Sequence, residues 1–259
     1  MMKLSNNNLY KMKKLFFCKS DIGAIRRKNE DYAYSGTNSL LDNLVIVCDG
    51  LGSYPGSDKA SEIVSKVFIK SFLKHDYLMT TKEQWFKNCI KKAKLLMREH
   101  VIQFNDHLQM STTLVLALIV KDEVFLFWIG DSRAYLISKK ECEQITDDHN
   151  LLNYLISIDT PEEEIQKYGD SLLAITNCIT INIDEEQRYS YLNLKLKKNC
   201  FVFLASDGFY NFFDINYLYE ILSYENSNKE NIANELINAA ITNQSNDNIS
   251  FAYFGYIKN

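Results

Sequence analysis

The chain has 259 residues, 46% of them hydrophobic, and its 29 Lys and Arg against 33 Asp and Glu give a formal charge of -4 and a pI near 5.7. That length can bury a sizeable core, and with only Pro55 and Pro161 and no Pro/Gly/Ser-rich linker it predicts one domain over residues 15–259 after a flexible start at 1–14. The mild acidic balance offers no general attraction for nucleic acid or anionic membrane, and no run of about 18 apolar residues could span a bilayer.

Cys18, Cys48, Cys89, Cys142, Cys178 and Cys200 lie far apart with no Cys-x-x-Cys pair. They read as small core residues in a reducing compartment, not as a disulfide framework or zinc site. The start carries Lys3, Lys11, Lys13 and Lys14, and its apolar piece Leu15-Phe16-Phe17 is too short for a signal peptide. A cytoplasmic protein is expected.

From Leu15 a strand leads into a loop, Ser20 to Asp31, with cations followed by the adjacent acids Glu30 and Asp31. Tyr32 to Tyr34 resumes a strand, and Leu40 to Cys48 reads as a strand buried on both faces, ending in Asp49-Gly50. Ser57 is placed to cap a helix bearing Ala60, Ile63, Val64, Val67, Phe68 and Phe72 on one face. Thr81-Lys82-Glu83-Gln84 fits a capping box for a second helix, whose face runs from Phe86 through Cys89, Ile90, Ala93 and Met97 to Val101 and Phe104. Thr112 to Val120 and Glu123 to Ile129 predict a hairpin across Lys121-Asp122, and Ala134 to Ser138 with Glu143 to Thr146 another.

Residues 148–187 read as an excursion from the sheet, with a short helix after Asn150 and another with Pro161 in its first turn. Strands resume at Tyr189 to Leu196 and Phe201 to Ser206. Asp214 caps a helix to about Tyr224, Asn228 to Asn243 forms the last helix, and Asp247 enters a final strand. Strands joined by short turns, with helices in pairs, predict an α+β fold: a sandwich of two antiparallel sheets flanked by helices, in α-β-β-α layers.

Glu30, Asp31, Asp49, Asp131, Asp207 and Asp247 stand at strand ends or in the first loop. No Lys or Arg occurs between Asp42 and Lys59 to neutralise Asp49, so a bound cation is one answer to its charge. Oxygen donors without His or Cys select Mg²⁺ or Mn²⁺, and several carboxylates together suit two ions. Two such ions about 3.5–4 Å apart can activate a water and stabilise an in-line displacement at phosphorus. Arg26 could hold the phosphate through a bidentate fork. Singly, each Asp-Gly pair is only a turn and each acid only a solvated residue; their joint occurrence at the ends of apolar strands points to phosphoester hydrolysis.

At these residues the chain resembles the metal-dependent Ser/Thr protein phosphatases of type 2C, in their compact bacterial form. The likeness runs from about Lys19 to Tyr256, with motifs in family order: Asp21-Ile22-Gly23 through Arg26 to Asn29-Glu30-Asp31, Val47-Cys48-Asp49-Gly50-Leu51-Gly52, Ser111-Thr112-Thr113, Gly130-Asp131-Ser132-Arg133, Thr146-Asp147-Asp148-His149, Ser206-Asp207-Gly208 and Asp247-Asn248-Ile249-Ser250. The resemblance implies that Asp49 bridges two Mn²⁺ or Mg²⁺ ions, that Asp207 and Asp247 hold the first, and that the Gly50 carbonyl holds the second. Glu30 would act on the second ion through water, with Asp31 behind it; Asp131 with Asp207 would form a third site, and Arg26 would bind phosphate.

The excursion at 148–187 corresponds to the family's flap. Leu51 sits where animal members carry a histidine proposed as general acid, and water would take that role here. Ser53, Ser111 and Thr180 stand where glycine is usual.

The implied function is hydrolysis of phosphoserine and phosphothreonine in a phosphorylated protein by a metal-bridging water, opposing a Ser/Thr kinase, with the enzyme acting as a monomer. A catalytically silent binding module of the same fold is the alternative; retention of Arg26, Asp49, Asp207 and Asp247 argues against it, because clustered acids repel one another without a cation. A two-metal nuclease lacks the basic groove it would need.

Overall fold

Residues 12–52, 56–104, 109–224 and 228–258 are described by a computed structural model. The expectation for residues 1–11, and Ser53 among the departures from the family pattern, lie outside them. Strands Met12–Asp21 (β1), Tyr32–Thr37 (β2) and Asn43–Cys48 (β3) come first, then helices Ser57–Leu73 (α1) and Lys82–Phe104 (α2). Ser111–Thr112 (β4), Leu114–Val120 (β5), Glu123–Ile129 (β6), Arg133–Ser138 (β7) and Cys142–Gln144 (β8) form the middle. After the short helices Leu151–Ser157 (α3) and Glu162–Ile165 (α4) come Ile179–Thr180 (β9), Ser190–Lys195 (β10) and Cys200–Ala205 (β11). Asp207–Tyr210 (α5), Leu218–Leu222 (α6), Lys229–Thr242 (α7) and Ile249–Lys258 (β12) follow.

Two five-stranded antiparallel sheets stack face to face, one ordered β1-β12-β11-β7-β8 and the other β10-β6-β5-β3-β2. The inter-sheet core is built mainly of small and branched side chains, with Phe254 among them: Val45, Val47, Val115 and Ala117 face Val202, Leu204, Ala252 and Phe254. Outside one sheet, α1 and α2 pack Phe68, Phe72, Trp85 and Phe86 over Leu44, Ile46, Leu116 and Phe127. Outside the other, α5, α6 and α7 cover Phe203 and Phe251 with Phe209, Leu218, Leu236 and Ile237. The α-β-β-α layering follows: β3, β5 and β11 are apolar at nearly every position because each has a core on both faces. Each fully buried large apolar side chain contributes roughly 1.5–3 kcal/mol.

Register sends the acids to one end. Cys48 pairs with Tyr32, Val47 with Val115 and Leu114 with Ile129, so β3 and β6 finish where β2 and β5 begin. In the other sheet Ala205 pairs with both Phe251 and Arg133, and Asp21 with Ile249.

Several local expectations are corrected. The buried strand starts at Asn43, not Leu40; Leu40 and Leu41 sit exposed in a turn with Leu41 at φ 65°. Ser57 does not cap α1: Gly56 holds the cap position, and the Ser57 hydroxyl donates to the Leu51 carbonyl at 2.6 Å. Thr81 does cap α2, accepting from the Gln84 N–H at 3.1 Å, but Gln84 turns its amide to Asn88, and Phe104 at the far end is exposed. Pro161 precedes α4 instead of lying in its first turn. The first strand begins at Met12, so Met12 to Lys14, expected in the flexible start, belong to β1.

The largest correction concerns Ser111-Thr112, which leave the main sheet and pair with β9 inside the excursion. Ser111 is opposite Thr180 there, so two of the positions at which this chain departs from the family's glycine face each other across one short ribbon.

Candidate active site

Asp49 follows β3, Asp31 precedes β2, Asp131 follows β6 beyond Gly130, Asp207 opens α5 just after β11, and Asp247 precedes β12. Both sheets therefore deliver acids to one end of the inter-sheet core. Two glycines make the approach possible. A Cβ at Gly208 would lie 2.0 Å from the Asn248 carbonyl oxygen, so only glycine lets the start of α5 meet the turn before β12. Gly130 has φ 104°, a region other residues rarely adopt, and a Cβ there would lie 2.6 Å from Thr113 Cγ2.

The opening loop is tied down by Asn248, whose side-chain amide donates to the Ile22 and Lys28 carbonyls, each at 2.9 Å, and whose Oδ1 accepts from the Glu30 N–H at 2.8 Å. Gly50 N–H donates to the Glu30 carbonyl at 3.2 Å, setting the two motifs side by side. The Asp49 N–H donates to Thr113 Oγ1 at 3.0 Å, and the Asp49 carbonyl accepts from Thr112 Oγ1 at 2.9 Å and Thr113 N–H at 2.8 Å. The Ser206 hydroxyl donates to Asp31 Oδ2 at 2.9 Å. Beside Asp131, Arg133 forms a double contact with Asp148 and lies 3.9 Å from the centre of the Tyr210 ring; Tyr210 donates to the Asp131 carbonyl at 3.2 Å.

The electrostatics show how tightly the acids are set. Burial pushes Asp49 well above the usual carboxylate range, with Asp31, Asp207, Asp131 and Asp247 adding to it. Burial also raises Asp131 to about 7, with Asp207 and Asp148 next in effect. Asp31 goes up to about 7 through burial, against hydrogen bonds from Ser250 and Ser206 that favour its charged form. Asp207 is raised by burial and by Asp247, while hydrogen bonds with the Gly208 backbone and then the Asp49 carboxyl pull it back. Glu30 is raised chiefly by burial.

Arg26, expected to face a phosphate, is paired with Asp247: its Nη2 donates to Asp247 Oδ2 at 2.6 Å and its Nε to the Asn246 carbonyl at 3.2 Å. All the acids named from sequence thus belong to one neighbourhood, with Arg26 at its rim. Among the described residues no three His, Cys, Asp or Glu form a ready-made metal cage. The donor chemistry nevertheless fits a hard divalent cation: the set is all oxygen, and burial together with neighbouring carboxylates raises Asp49 and Asp131, a cost that a bound cation would relieve.

Sequence reasoning placed Thr113, Ser206 and Asn248 in motifs without a supporting role for any of them, and did not single out Tyr210. Ser206 and Asn248 each adjoin an acid in a motif, which does not say which group each would hold, and Thr113 and Tyr210 lack even that signal.

Two stacked antiparallel sheets between helical layers, with acids from both sheets meeting at one end, define a class of acid-centred sandwich proteins. The chain belongs to the protein phosphatase 2C family, whose sequence profile matches residues 26–240. A Mycoplasma genitalium protein named as a candidate protein phosphatase is 36% identical over 241 residues, covering 89% of this chain and 90% of that protein. The serine/threonine phosphatase Stp1 of Staphylococcus aureus has a similar crystal structure, with a TM-score of 0.76, 27% identity and 94% of each chain covered. The serine/threonine phosphatase of Mycobacterium tuberculosis, 22% identical with a TM-score of 0.75 over 93% of this chain and 98% of that one, shares the fold.

Proposed function

We propose that this chain is a Mn²⁺- or Mg²⁺-dependent protein phosphatase acting on phosphoserine and phosphothreonine. The observation that carries the reading is the convergence of Asp49, Asp131, Asp207 and Asp247 from both sheets, in a chain of the phosphatase 2C family, with the carboxyls of Asp49, Asp131 and Asp207 raised by burial and neighbouring charge. Two divalent ions bound there would lower the pKa of the attacking water and offset the charge of an in-line displacement at phosphorus. Asp49 would bridge them, Asp207 and Asp247 would hold the first, and the Gly50 carbonyl and Glu30, backed by Asp31, would serve the second. Asp131 with Asp207 would form a third, looser site.

Arg26 would turn from Asp247 to grip the phosphate, since one guanidinium cannot serve both in full. With Leu51 unable to donate a proton, the leaving serine or threonine oxygen takes one from water. We assign the chain from Met12, where β1 begins, to one phosphatase domain with residues 148–187 as a flap beside the acids. A cytoplasmic monomer opposing a Ser/Thr kinase completes the proposal. Among the described residues no helix is long and apolar enough to cross a membrane.

The test is hydrolysis of p-nitrophenyl phosphate and a phosphothreonine peptide with Mn²⁺, Mg²⁺ or EDTA, in the wild type and in Asp207→Asn. Metal-dependent turnover that disappears in a folded Asp207→Asn variant is expected. Near wild-type rates in that variant at saturating Mn²⁺ would mean that the ligand set is wrong.

A further inference from the structure

On the buried face of α2, where Phe86, Ile90, Ala93 and Met97 pack against the sheet, the helix also carries Lys94, only 5% exposed. A lysine on an apolar stripe is uncommon, because its ammonium must find compensation away from water. Here it donates to the Glu185 carbonyl at 3.4 Å, a long contact that uses one of three donors. It forms no ion pair within 4.0 Å among the described residues. Burial accordingly pulls its pKa below the usual lysine value, with the nearby Glu185 charge opposing the shift.

Lys94 lines a cavity of about 340 Å³ between α2 and the segment that leaves β9 toward β10. Its apolar walls are Phe86, Ile90, Leu95, Ile183 and Tyr189, and none of the active-site acids lines it. Leu95 and Ile183 are 40% and 37% exposed, apolar groups held at the opening. The polar side of the lining is Lys87, Lys91, Glu185, Glu186 and Gln187; Lys87 is engaged by Glu186 at 3.1 Å, and Glu185 meets Lys94 through its backbone carbonyl. A half-open trough with an apolar floor and a poorly satisfied ammonium has the form of a small-ligand site: a greasy body gives burial and one polar group fixes orientation.

We propose that this cavity binds a small amphipathic carboxylate, an aliphatic chain of about eight to ten carbons with a single anionic end, its chain along Phe86, Ile90 and Tyr189 and its carboxylate on Lys94. A cavity of about 340 Å³ lies within the size range of small-ligand sites and accommodates such a chain. The charge argues for a carboxylate over an alcohol or amine, because a charge-assisted bond satisfies the ammonium that the protein leaves short of partners.

The experiment is calorimetric titration of the full chain with decanoate and with decanol, below the concentration at which decanoate forms micelles. Wild type should bind one decanoate per chain, at least tenfold more tightly than decanol. Lys94→Met should lose that preference, with decanoate affinity down at least tenfold and decanol affinity retained. Leu95→Trp, which blocks the opening from its exposed side, should lose both ligands. Absence of saturable decanoate binding to the wild type, equal wild-type affinities for the two ligands, or a Lys94→Met variant that keeps its decanoate affinity would each overturn the assignment. Should Lys94→Met fail to fold, as judged by its melting curve, unchanged decanoate binding by Leu95→Trp overturns it equally.

Discussion

Replacing Asn248 should loosen the loop that carries Arg26, Glu30 and Asp31 without touching any acid. Asn248 is 3% exposed, and its three hydrogen bonds, at 2.8, 2.9 and 2.9 Å, all go to backbone groups of residues 22–30. At roughly 1 kcal/mol net for each bond, Asn248→Ala should cost about 3 kcal/mol. At about 2–4 °C per kcal/mol for a chain of this size, that is a fall of roughly 6–12 °C in melting temperature. Asn248→Asp is the sharper variant: it keeps volume and the acceptor for Glu30 N–H, but turns an oxygen toward the Ile22 and Lys28 carbonyls. It should be at least as destabilised as Asn248→Ala. Differential scanning calorimetry reads the first effect, and KM for a phosphothreonine peptide, expected to rise as Arg26 loses its support, reads the second. A melting temperature within about 2 °C of wild type for both variants, with KM unchanged, would refute the claim that Asn248 holds this loop.

Arg26→Ala should raise KM for the same peptide about tenfold, the worth of one charge-assisted contact, with a smaller change in kcat; an unchanged KM would remove Arg26 from the phosphate site. Gly208→Ala should be severely destabilising or fail to fold, because its Cβ would sit 2.0 Å from a backbone oxygen and neither chain segment can yield cheaply; a soluble, active variant would contradict the close approach of α5 and β12. Asp31 and Asp131 hold their protons to about 7 in the folded chain, against 3.8 for the ordinary carboxyl. The folded state therefore binds more protons between those values. The stability these two acids contribute is full below the lower value and lost as pH rises toward the upper one. Bound Mn²⁺ would remove that loss by favouring the ionised forms, so the gap between Mn²⁺-loaded and EDTA-treated melting temperatures should widen from about pH 5 to about pH 7; a gap that narrows would oppose a cation at these acids.

The apolar runs at β3, β5 and β11, and the acids that close β3 and β11, were legible because a strand with a core on both faces has no polar alternation and its ending acid is conspicuous. Strand limits were less so. Leu40 and Leu41 extend the apolar pattern of β3, yet the chain turns there, and only the pairing of Asn43 with Thr37 decides where the ladder stops. Thr112 reads as the start of β5 because Thr112-Thr113-Leu114 has strand propensity throughout. Its divergence to pair with Ile179 depends on a partner 67 residues away, which local pattern cannot name.

The sequence by itself determined the layers, the motif order and the set of acids, since hydrophobic periodicity and side-chain chemistry are local properties. Tertiary structure alone decided that Asn248 is the clamp of the opening loop, that Arg26 rests on Asp247, that Ser111 meets Thr180, and that Lys94 faces a cavity and not solvent. Each of these rests on a contact between segments far apart in the chain. Such contacts follow from how the two sheets and their helices pack, because packing brings distant groups within hydrogen-bonding reach and removes the water that would otherwise satisfy them.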